Sequence, residues 1–318
     1  MSNNIELILV GTGYMGKEYI KVLDSVGVQT TVVCRRQESA DNFEEETGHK
    51  AIYGGISALI DNKVVISTKA IVAVNVENLK ETVIELLNLG VKKILVEKPA
   101  GLNKNEICEI CEAEKKYNAE VFVAYNRRFY ASTEKALEII KKDGGVESFN
   151  FEFTEWADDI KGLKFPDIVK ENWLLANSSH VIDLAFFLGG EPKEMVSYSQ
   201  GKMDWHERAS KYSGAGVTNE GVTFSYCANW DAPGRWSVEV LTRQHRLYFK
   251  PMEKLFVQKR NSVALEEEAI EDAIDKDYKP GLYKQVCAFL DEKVDSRLLS
   301  IDEQYKHMLI YDKIEGLE

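Results

Sequence analysis

The sequence predicts an α/β protein in two parts: an N-terminal doubly wound parallel sheet, then a C-terminal α+β domain with a large, mostly antiparallel sheet. Three observations carry this. Short apolar runs alternate with amphipathic segments through residue 124. Glycines at Gly11, Gly13 and Gly16 stand where the first apolar run gives way to the first amphipathic segment. Beyond residue 125 the apolar period falls to two, as in Phe149, Phe151 and Phe153. The expected domains are residues 1–124 and 125–318.

In the first part, Ile5 to Val10 reads as a buried strand, the next segment to Val26 as a helix, and Thr30 to Cys34 as a β-branched strand. Val64 to Ser67 and Ala70 to Val76 are strand-like. Leu79, Val83, Leu86 and Leu87 repeat at helical spacing up to Gly90, a C-terminal stop. The strand KKILVEKP follows, then a helix opened by Asn103 and Glu106 at capping-box spacing, then Val121 to Ala124. Strands separated by helices in this rhythm imply right-handed crossovers and a parallel sheet.

In the second part, Val222, Phe224 and Tyr226 alternate as the phenylalanines do, and so do Trp236, Val238 and Val240 after a turn at DAPG. LLANSSHVIDLAFFLGG reads as a helix ended by Gly189 and Gly190. The acidic stretch 264–276 reads as a solvated helix, and Tyr283 to Leu309 as helices closing the second domain.

The 318 residues, 44% hydrophobic and 29% charged, suit a globular protein with a sizeable core. A net charge of -12 repels a phosphate backbone, so no nucleic-acid partner is expected. The start, MSNNIELILVG, lacks a basic segment before a signal core, and no apolar run reaches ~18–20 residues. A cytoplasmic location with no membrane partner is expected. The five cysteines are scattered, as in a reducing compartment. Cys108 and Cys111 fall on one helical face with no second pair at zinc spacing, and His49, His206, His245 and His307 make no metal spacing, so no metal is expected.

Taken alone, G-x-G-x-x-G is a weak signal. Following a strand and opening a helix, it becomes a dinucleotide fingerprint. Gly11 permits the tight turn, Gly13 lets a pyrophosphate approach the backbone, and Gly16 lets the helix pack close to the sheet. Gly11, Thr12, Gly13, Tyr14, Met15 and Gly16 are thus candidate cofactor contacts, and the N–H groups and partial positive charge of a helix N-terminus suit phosphates. NAD usually calls for Asp or Glu about 20 residues further on. Here Cys34-Arg35-Arg36 stands instead, with Arg35 19 positions after Gly16. Two guanidinium groups favour a 2′-phosphate, hence NADP over NAD.

LVEKPAG, Leu95 to Gly101, ends a strand where open α/β sheets place ligands. Lys98 is a candidate to enter that crevice, and Pro99 fixes the turn, with a cis peptide open to it.

The order GTGYMG, EKPAG, AYNRRFY, NSSHVID resembles the glucose-fructose oxidoreductase, inositol dehydrogenase and rhizopine-catabolism family, Gfo/Idh/MocA, over essentially the whole chain. The resemblance implies a pyridine-nucleotide dehydrogenase or reductase acting on CH–OH groups of a sugar, a cyclitol or a nucleotide sugar. It implies that Lys98 lies near nicotinamide and substrate, that His180 is the acid/base, and that Asn126, Arg127 and Arg128 border the cofactor, with Glu97 and Pro99 completing the motif. Two departures stand out. Ala176 replaces the Asp that commonly lies four residues before the late His. Val74-Asn75 and Asn78 replace the usual Thr-Pro and His, and Asn75 is still counted as a cofactor contact.

Residue chemistry agrees independently. Oxidising a carbinol requires removal of a proton from oxygen, a task for imidazole that contributes about 10²–10⁴ in rate. An ammonium beside that oxygen stabilises alkoxide charge. Asp183, one turn after His180, can orient the ring or bind substrate, completing a catalytic set of Lys98, His180 and Asp183. Asn177, Ser178 and Ser179 offer polar groups to substrate hydroxyls; Tyr125, Trp156, Trp173 and Trp230 offer faces for a sugar; Arg235 can meet a substrate phosphate or carboxylate. Ala176 keeps an alternative open, a non-catalytic NADP-binding sensor or regulatory protein of the same fold, and also reduction of an imine. Aromatic groups on an open antiparallel sheet predict a homodimer or homotetramer.

Overall fold

The computed structural model describes residues 6–317. Ile5, expected to open the first strand, lies outside the described residues. Contacts divide the chain into two units: the chain up to Tyr125 with Asp277–Lys306, and Asn126–Lys276 with the segment from His307 onward.

The first unit holds Glu6–Val10 (β1), Gln29–Cys34 (β2), Ala51–Tyr53 (β3), Lys69–Val72 (β4), Lys93–Glu97 (β5) and Glu120–Ala124 (β6). The sheet order is Leu299–Ser300, β6, β5, β4, β1, β2, β3. All of its pairings are parallel except the edge strand Leu299–Ser300 on β6. The order reverses between β1 and β4, which opens a crevice at the strands' C-terminal ends. Helices form where the apolar period demands: Leu79, Val83, Leu86 and Leu87 are all fully buried in Leu79–Asn88. The capping box is present, with Asn103 Oδ1 accepting from the Glu106 amide at 3.1 Å and Glu106 Oε2 from the Leu102 amide at 2.7 Å.

Val64 to Ser67 forms no strand. The Val64 amide instead closes the end of the short helix Ser57–Asp61 on the Leu59 carbonyl, and Val65 is 80% exposed. The segment Asp277–Lys306, expected to close the second domain, belongs to the first unit. Its helix Leu282–Leu290 ends where two lysines from the sheet reach its last carbonyls: Lys69 Nζ donates to Leu290 O at 2.9 Å and Lys93 Nζ to Asp291 O at 2.8 Å. Cations at a helix C-terminus answer both its open carbonyls and its dipole. The expected 125–318 domain therefore loses this stretch.

The second unit contains Ser148–Glu152 (β7), Pro192–Gln200 (β8), Lys211–Thr218 (β9), Thr223–Asn229 (β10), Ser237–Leu241 (β11), His245–Phe249 (β12), Phe256–Lys259 (β13) and Leu265–Glu267 (β14). Their order is β14, β13, β12, β11, β7, β10, β9, β8. The sheet is mostly antiparallel, as expected, but β7 and β10 pair in parallel. The chain leaves β7 for a run of helices, forms β8 and β9 at the sheet's edge, and then lays β10 beside β7 in the same direction. The inward phenylalanines justify the period-two reading. Phe149 stacks on Phe224 and Phe151 on Tyr226, each at 5.3 Å, and Phe186 of the helix Ser179–Gly189 meets Phe149, Phe151 and Phe224 edge-on. Such pairs add about 0.5–1.5 kcal/mol each beyond burial.

The acidic stretch 264–276 is not one helix. Leu265–Glu267 pairs with β13 as an edge strand, and the short helix Ala273–Asp277 follows. Glu266 and Glu267 are exposed on that edge, where charge discourages pairing with another chain.

Glu315 is buried in the second unit. Burial pushes its carboxyl from 4.5 up to about 7, against the pull of Arg208, whose Nη1 lies 2.6 Å from Oε2. The native state thus binds more protons than the unfolded state between pH 4.5 and about 7, so stability falls as pH rises through that window and levels off above it. The loss amounts to about 3 kcal/mol. Denaturant melts of wild type and Glu315→Gln between these limits should show the slope in the former and its flattening in the latter. Equal slopes would refute the assignment.

Candidate cofactor and substrate sites

In the first unit, β1 ends at Val10 and the chain turns through Gly11, whose amide donates to Val33 O at 2.9 Å. Gly11 adopts φ +116, and a Cβ there would lie 2.2 Å from the Ala73 carbonyl oxygen. A Cβ on Gly16 would lie 2.1 Å from the Gly11 carbonyl oxygen, so the helix Tyr14–Ser25 meets the turn only because Gly16 has no side chain. Gly13 differs: nothing lies within 4 Å of the position a Cβ would take. Gly13 caps the helix with no side chain bonded to the cap, and no acidic residue stands in the first turn. Among the described residues, nothing therefore plugs the leading N–H groups of this 12-residue helix.

This mouth opens on a cavity of ≈ 720 Å³, a size suited to a cofactor. Of the expected contacts, Gly11, Thr12, Gly13, Arg35, Arg36 and Asn75 line it. Arg35 and Arg36 are exposed at the end of β2, and among the described residues neither has a carboxylate partner; Arg35 Nη1 donates to Asn78 Oδ1 at 2.9 Å. Gly54 and Gly55, missed in the sequence, line the cavity too, and their amides bond the Arg35 and Cys34 carbonyls. Their signal was the doublet in YGGIS, with φ of +108 and +79.

Tyr14, Met15 and Gly16 lie in the helix and do not line the cavity; Gly16 is a packing residue and Tyr14 carries Lys279 over its ring. At the end of β5 the Lys98-Pro99 peptide is cis. Glu97 Oε1 accepts from the Tyr19 hydroxyl at 2.8 Å, tying the EKP turn to the first helix, and burial raises the pKa of both groups. Gln304 Nε2 holds the Pro99 carbonyl at 3.1 Å. Lys98 is half-buried there. Tyr125, expected to face substrate, is fully buried and its hydroxyl receives Gln304 Nε2. It belongs to the core.

In the second unit, a π turn, Leu174–Ser178, leads into the helix Ser179–Gly189. Such turns recur at functional sites. Ala176 leaves the turn without an acid, and its neighbours address another carboxylate: Asn177 Nδ2 and Ser178 Oγ donate to Glu155 Oε1 at 3.0 and 2.7 Å. Arg235 Nη1 lies 3.4 Å from Glu155 Oε2. Burial raises the Glu155 pKa, opposed in turn by Ser178, Arg235 and Asn177. Glu155 went unread because FEFTEW looked like an ordinary strand end. Ser179 is corrected: it is fully buried and donates back to the Leu175 carbonyl at 2.7 Å.

His180 is 9% exposed, with its ring 6.3 Å from that of Trp236. Asp183 does not serve it. The carboxylate receives Arg128 Nε at 2.9 Å and Nη2 at 2.6 Å, and His307 Nδ1 stands 3.8 Å away. Helical spacing put Asp183 a turn from His180, but the Arg128 fork claims both oxygens. Asp183 and Arg128 thus form a buried pair with each other. Asn126 is buried and bonds the Tyr130 side chain. Trp156 is 55% exposed, whereas Trp173 and Trp230 are buried.

The glycine geometry separates two effects. Gly13→Val should keep the thermal midpoint within a few degrees and weaken NADP(H) binding at least tenfold, or about 1.4 kcal/mol. Gly16→Val should destabilise by about 3 kcal/mol or more through backbone overlap. Melting curves and cofactor titrations of the two variants check this; loss of folding in Gly13→Val would contradict it.

Residues 5–125 match the Gfo/Idh/MocA family model, described as an oxidoreductase family with an NAD-binding Rossmann fold. A curated relative, an uncharacterized oxidoreductase of Streptococcus pneumoniae serotype 4, is 24% identical over 199 residues, 61% of this chain. The match spans about half of that relative, 53% of its length. Among solved structures, levoglucosan dehydrogenase in complex with NADH aligns at TM-score 0.79 and 18% identity, covering 99% of this chain and 96% of that one. An Agrobacterium radiobacter oxidoreductase in complex with NAD+, L-tartaric acid and magnesium aligns at 0.76 and 12%, covering 98% and 95%. UDP-N-acetylglucosamine 3-dehydrogenase from Acidithiobacillus ferrooxidans aligns at 0.75 and 13%, covering 98% of each chain. At these identities the structures establish the fold, and among the described residues no helix is long and apolar enough to cross a membrane. The first unit thus carries, over residues 5–125, a match to the NAD-binding Rossmann domain of the Gfo/Idh/MocA oxidoreductase family.

Proposed function

We propose that the chain is an NADP-preferring dehydrogenase or reductase that moves a hydride between nicotinamide and a CH–OH group of a sugar, cyclitol or nucleotide sugar. The observation that carries the reading is the open helix mouth at Gly13, facing a cavity whose far wall carries Arg35 and Arg36. Support for the substrate class comes from similar folds that act on levoglucosan or UDP-N-acetylglucosamine, or hold L-tartaric acid. The cofactors named in those structures are NADH and NAD+. The NADP preference rests on the two arginines and the absence of a carboxylate at their position.

When bound, the nicotinamide supplies or accepts the hydride. The chain does the rest. Amides from Gly13 onward would hold the diphosphate, Arg35 and Arg36 would meet a 2′-phosphate, and Asn75 lines the same cavity. In this reading His180 is the group that takes the carbinol proton, and Lys98 is the cation suited to stabilising alkoxide charge. A homodimer or homotetramer is part of the same proposal, supported by Val196 and Tyr198, which β8 leaves exposed.

Cofactor titration and a panel of sugars, cyclitols and nucleotide sugars, followed by nicotinamide absorbance, test the reading. Arg35→Asp with Arg36→Ser should cost at least tenfold in NADP affinity, about 1.4 kcal/mol, and leave NAD affinity intact. His180→Ala should lower kcat by about 10²–10⁴ at unchanged cofactor affinity. Tight cofactor binding without turnover of any panel member would favour the non-catalytic sensor, for which Ala176 speaks.

A further inference from the structure

The second unit carries two guanidinium groups on one indole. The Arg127 guanidinium centre lies 4.9 Å from the Trp236 ring centroid and 5.8 Å from that of Tyr130. The Arg235 centre lies 4.5 Å from Trp236 and 4.6 Å from Trp156. Trp236 is also the ring beside His180. His180 and these cations therefore share one neighbourhood of the second unit.

Carboxylates near the cluster are Glu155 beside Arg235 and, toward Tyr130, Glu253 and Asp275. Arg127 has no ion pair among the described residues, and its buried Nε has no hydrogen-bond partner there. Asp275, toward the Tyr130 side, has Oδ2 engaged by the Ala131 amide. Arg235 has one carboxylate, Glu155, at a long 3.4 Å, and that group is shared with Asn177 and Ser178. The Arg235 side chain remains 42% exposed. Guanidinium groups placed over aromatic rings bond through their N–H edges, the geometry that suits a bidentate carboxylate or phosphate. The ≈ 410 Å³ cavity of the same unit, lined by Asp158, Asp159 and Asp231 beside Trp156 and Trp230, has the opposite sign.

We infer that Arg127 and Arg235 form an anion subsite on Trp236, and that the sugar-like substrate carries a carboxylate or phosphate close to the carbon that reacts. The inference deepens the oxidoreductase reading and rests on it for the reaction, while the subsite itself is testable by binding alone. Arg127 and Arg235 are specificity-determining residues in this scheme: they hold the anion and thereby register the carbinol against His180. A neutral sugar leaves both forks unmatched.

The test saturates the cofactor mouth with NADP+ and follows tryptophan fluorescence and calorimetry with stereochemistry-free anions, malonate and inorganic phosphate, and with matched pairs, glucuronate and glucose 6-phosphate against glucose. The anions should bind saturably, and each acid at least tenfold tighter than glucose; the stronger of carboxylate and phosphate names the group. Arg235→Gln, at a half-exposed position, should erase most of that advantage with NADP+ affinity unchanged. Arg127→Gln should also remove most of the advantage of acid over glucose, and Arg127→Lys should restore part of it, which separates charge from folding. Anions that bind no better than glucose, or an advantage that survives in the Arg127→Gln/Arg235→Gln double variant, would overturn the subsite. Anion binding without turnover of any substrate would instead sink the oxidoreductase reading and leave the subsite standing.

Discussion

The first helix can meet a diphosphate only if its leading amides are unpartnered and nothing occupies the space before them. Three glycines secure both conditions in different ways. Gly11 and Gly16 remove side chains that would strike backbone carbonyls about 2 Å away, so the turn can close and the helix can seat against it. Gly13, among the described residues, faces open space that a ligand can enter. Everything downstream follows from that seating: the crevice between β1 and β4, the cavity in front of it, and the arrival of Arg35 and Arg36 at its wall. The two parts of the fingerprint thus answer to different physics, one to packing and the other to recognition.

The second unit uses polar groups in the same divided way. Arg128 and Asp183 satisfy each other in the interior, a bidentate pair whose separation would strand a buried charge at a cost of about 3–5 kcal/mol. Arg127, the next residue back, turns to aromatic faces and keeps its donors. Adjacent arginines in one short segment therefore have opposite duties, one fixing the fold and the other offering charge. Glu155 gathers Asn177, Ser178 and Arg235, so the π turn that lacks an acid at Ala176 is still organised around a carboxylate from a different element.

Much of the architecture was legible in the sequence because it depends on period and on local stereochemistry. The alternation of Phe149, Phe151 and Phe153, the glycine turn, the capping box at Asn103 and the arginines after β2 are all local patterns with local causes. What escaped depended on contacts distant in sequence. Nothing near residue 282 says that Lys69 and Lys93 will hold that helix on the first sheet. Nothing near residue 183 says that Arg128 will take both oxygens from its carboxylate, and helical spacing alone pointed Asp183 at His180 instead. Ser179 and Tyr125 were misread for the same reason, since a polar or amphipathic side chain reveals its partner only after folding. Glu155 sat in a strand end with no motif to mark it.

The central claim is that peptide amides at the mouth of the first helix grip the cofactor's diphosphate. Backbone amide NMR of the intact chain during titration with pyrophosphate and then NADP+ tests it most directly. The account predicts saturable shifts concentrated at Gly13, Tyr14 and Met15 with both ligands, and further shifts near Arg35 and Arg36 with NADP+ alone. Binding that leaves those three amides unmoved, or no saturable binding at all, would contradict it.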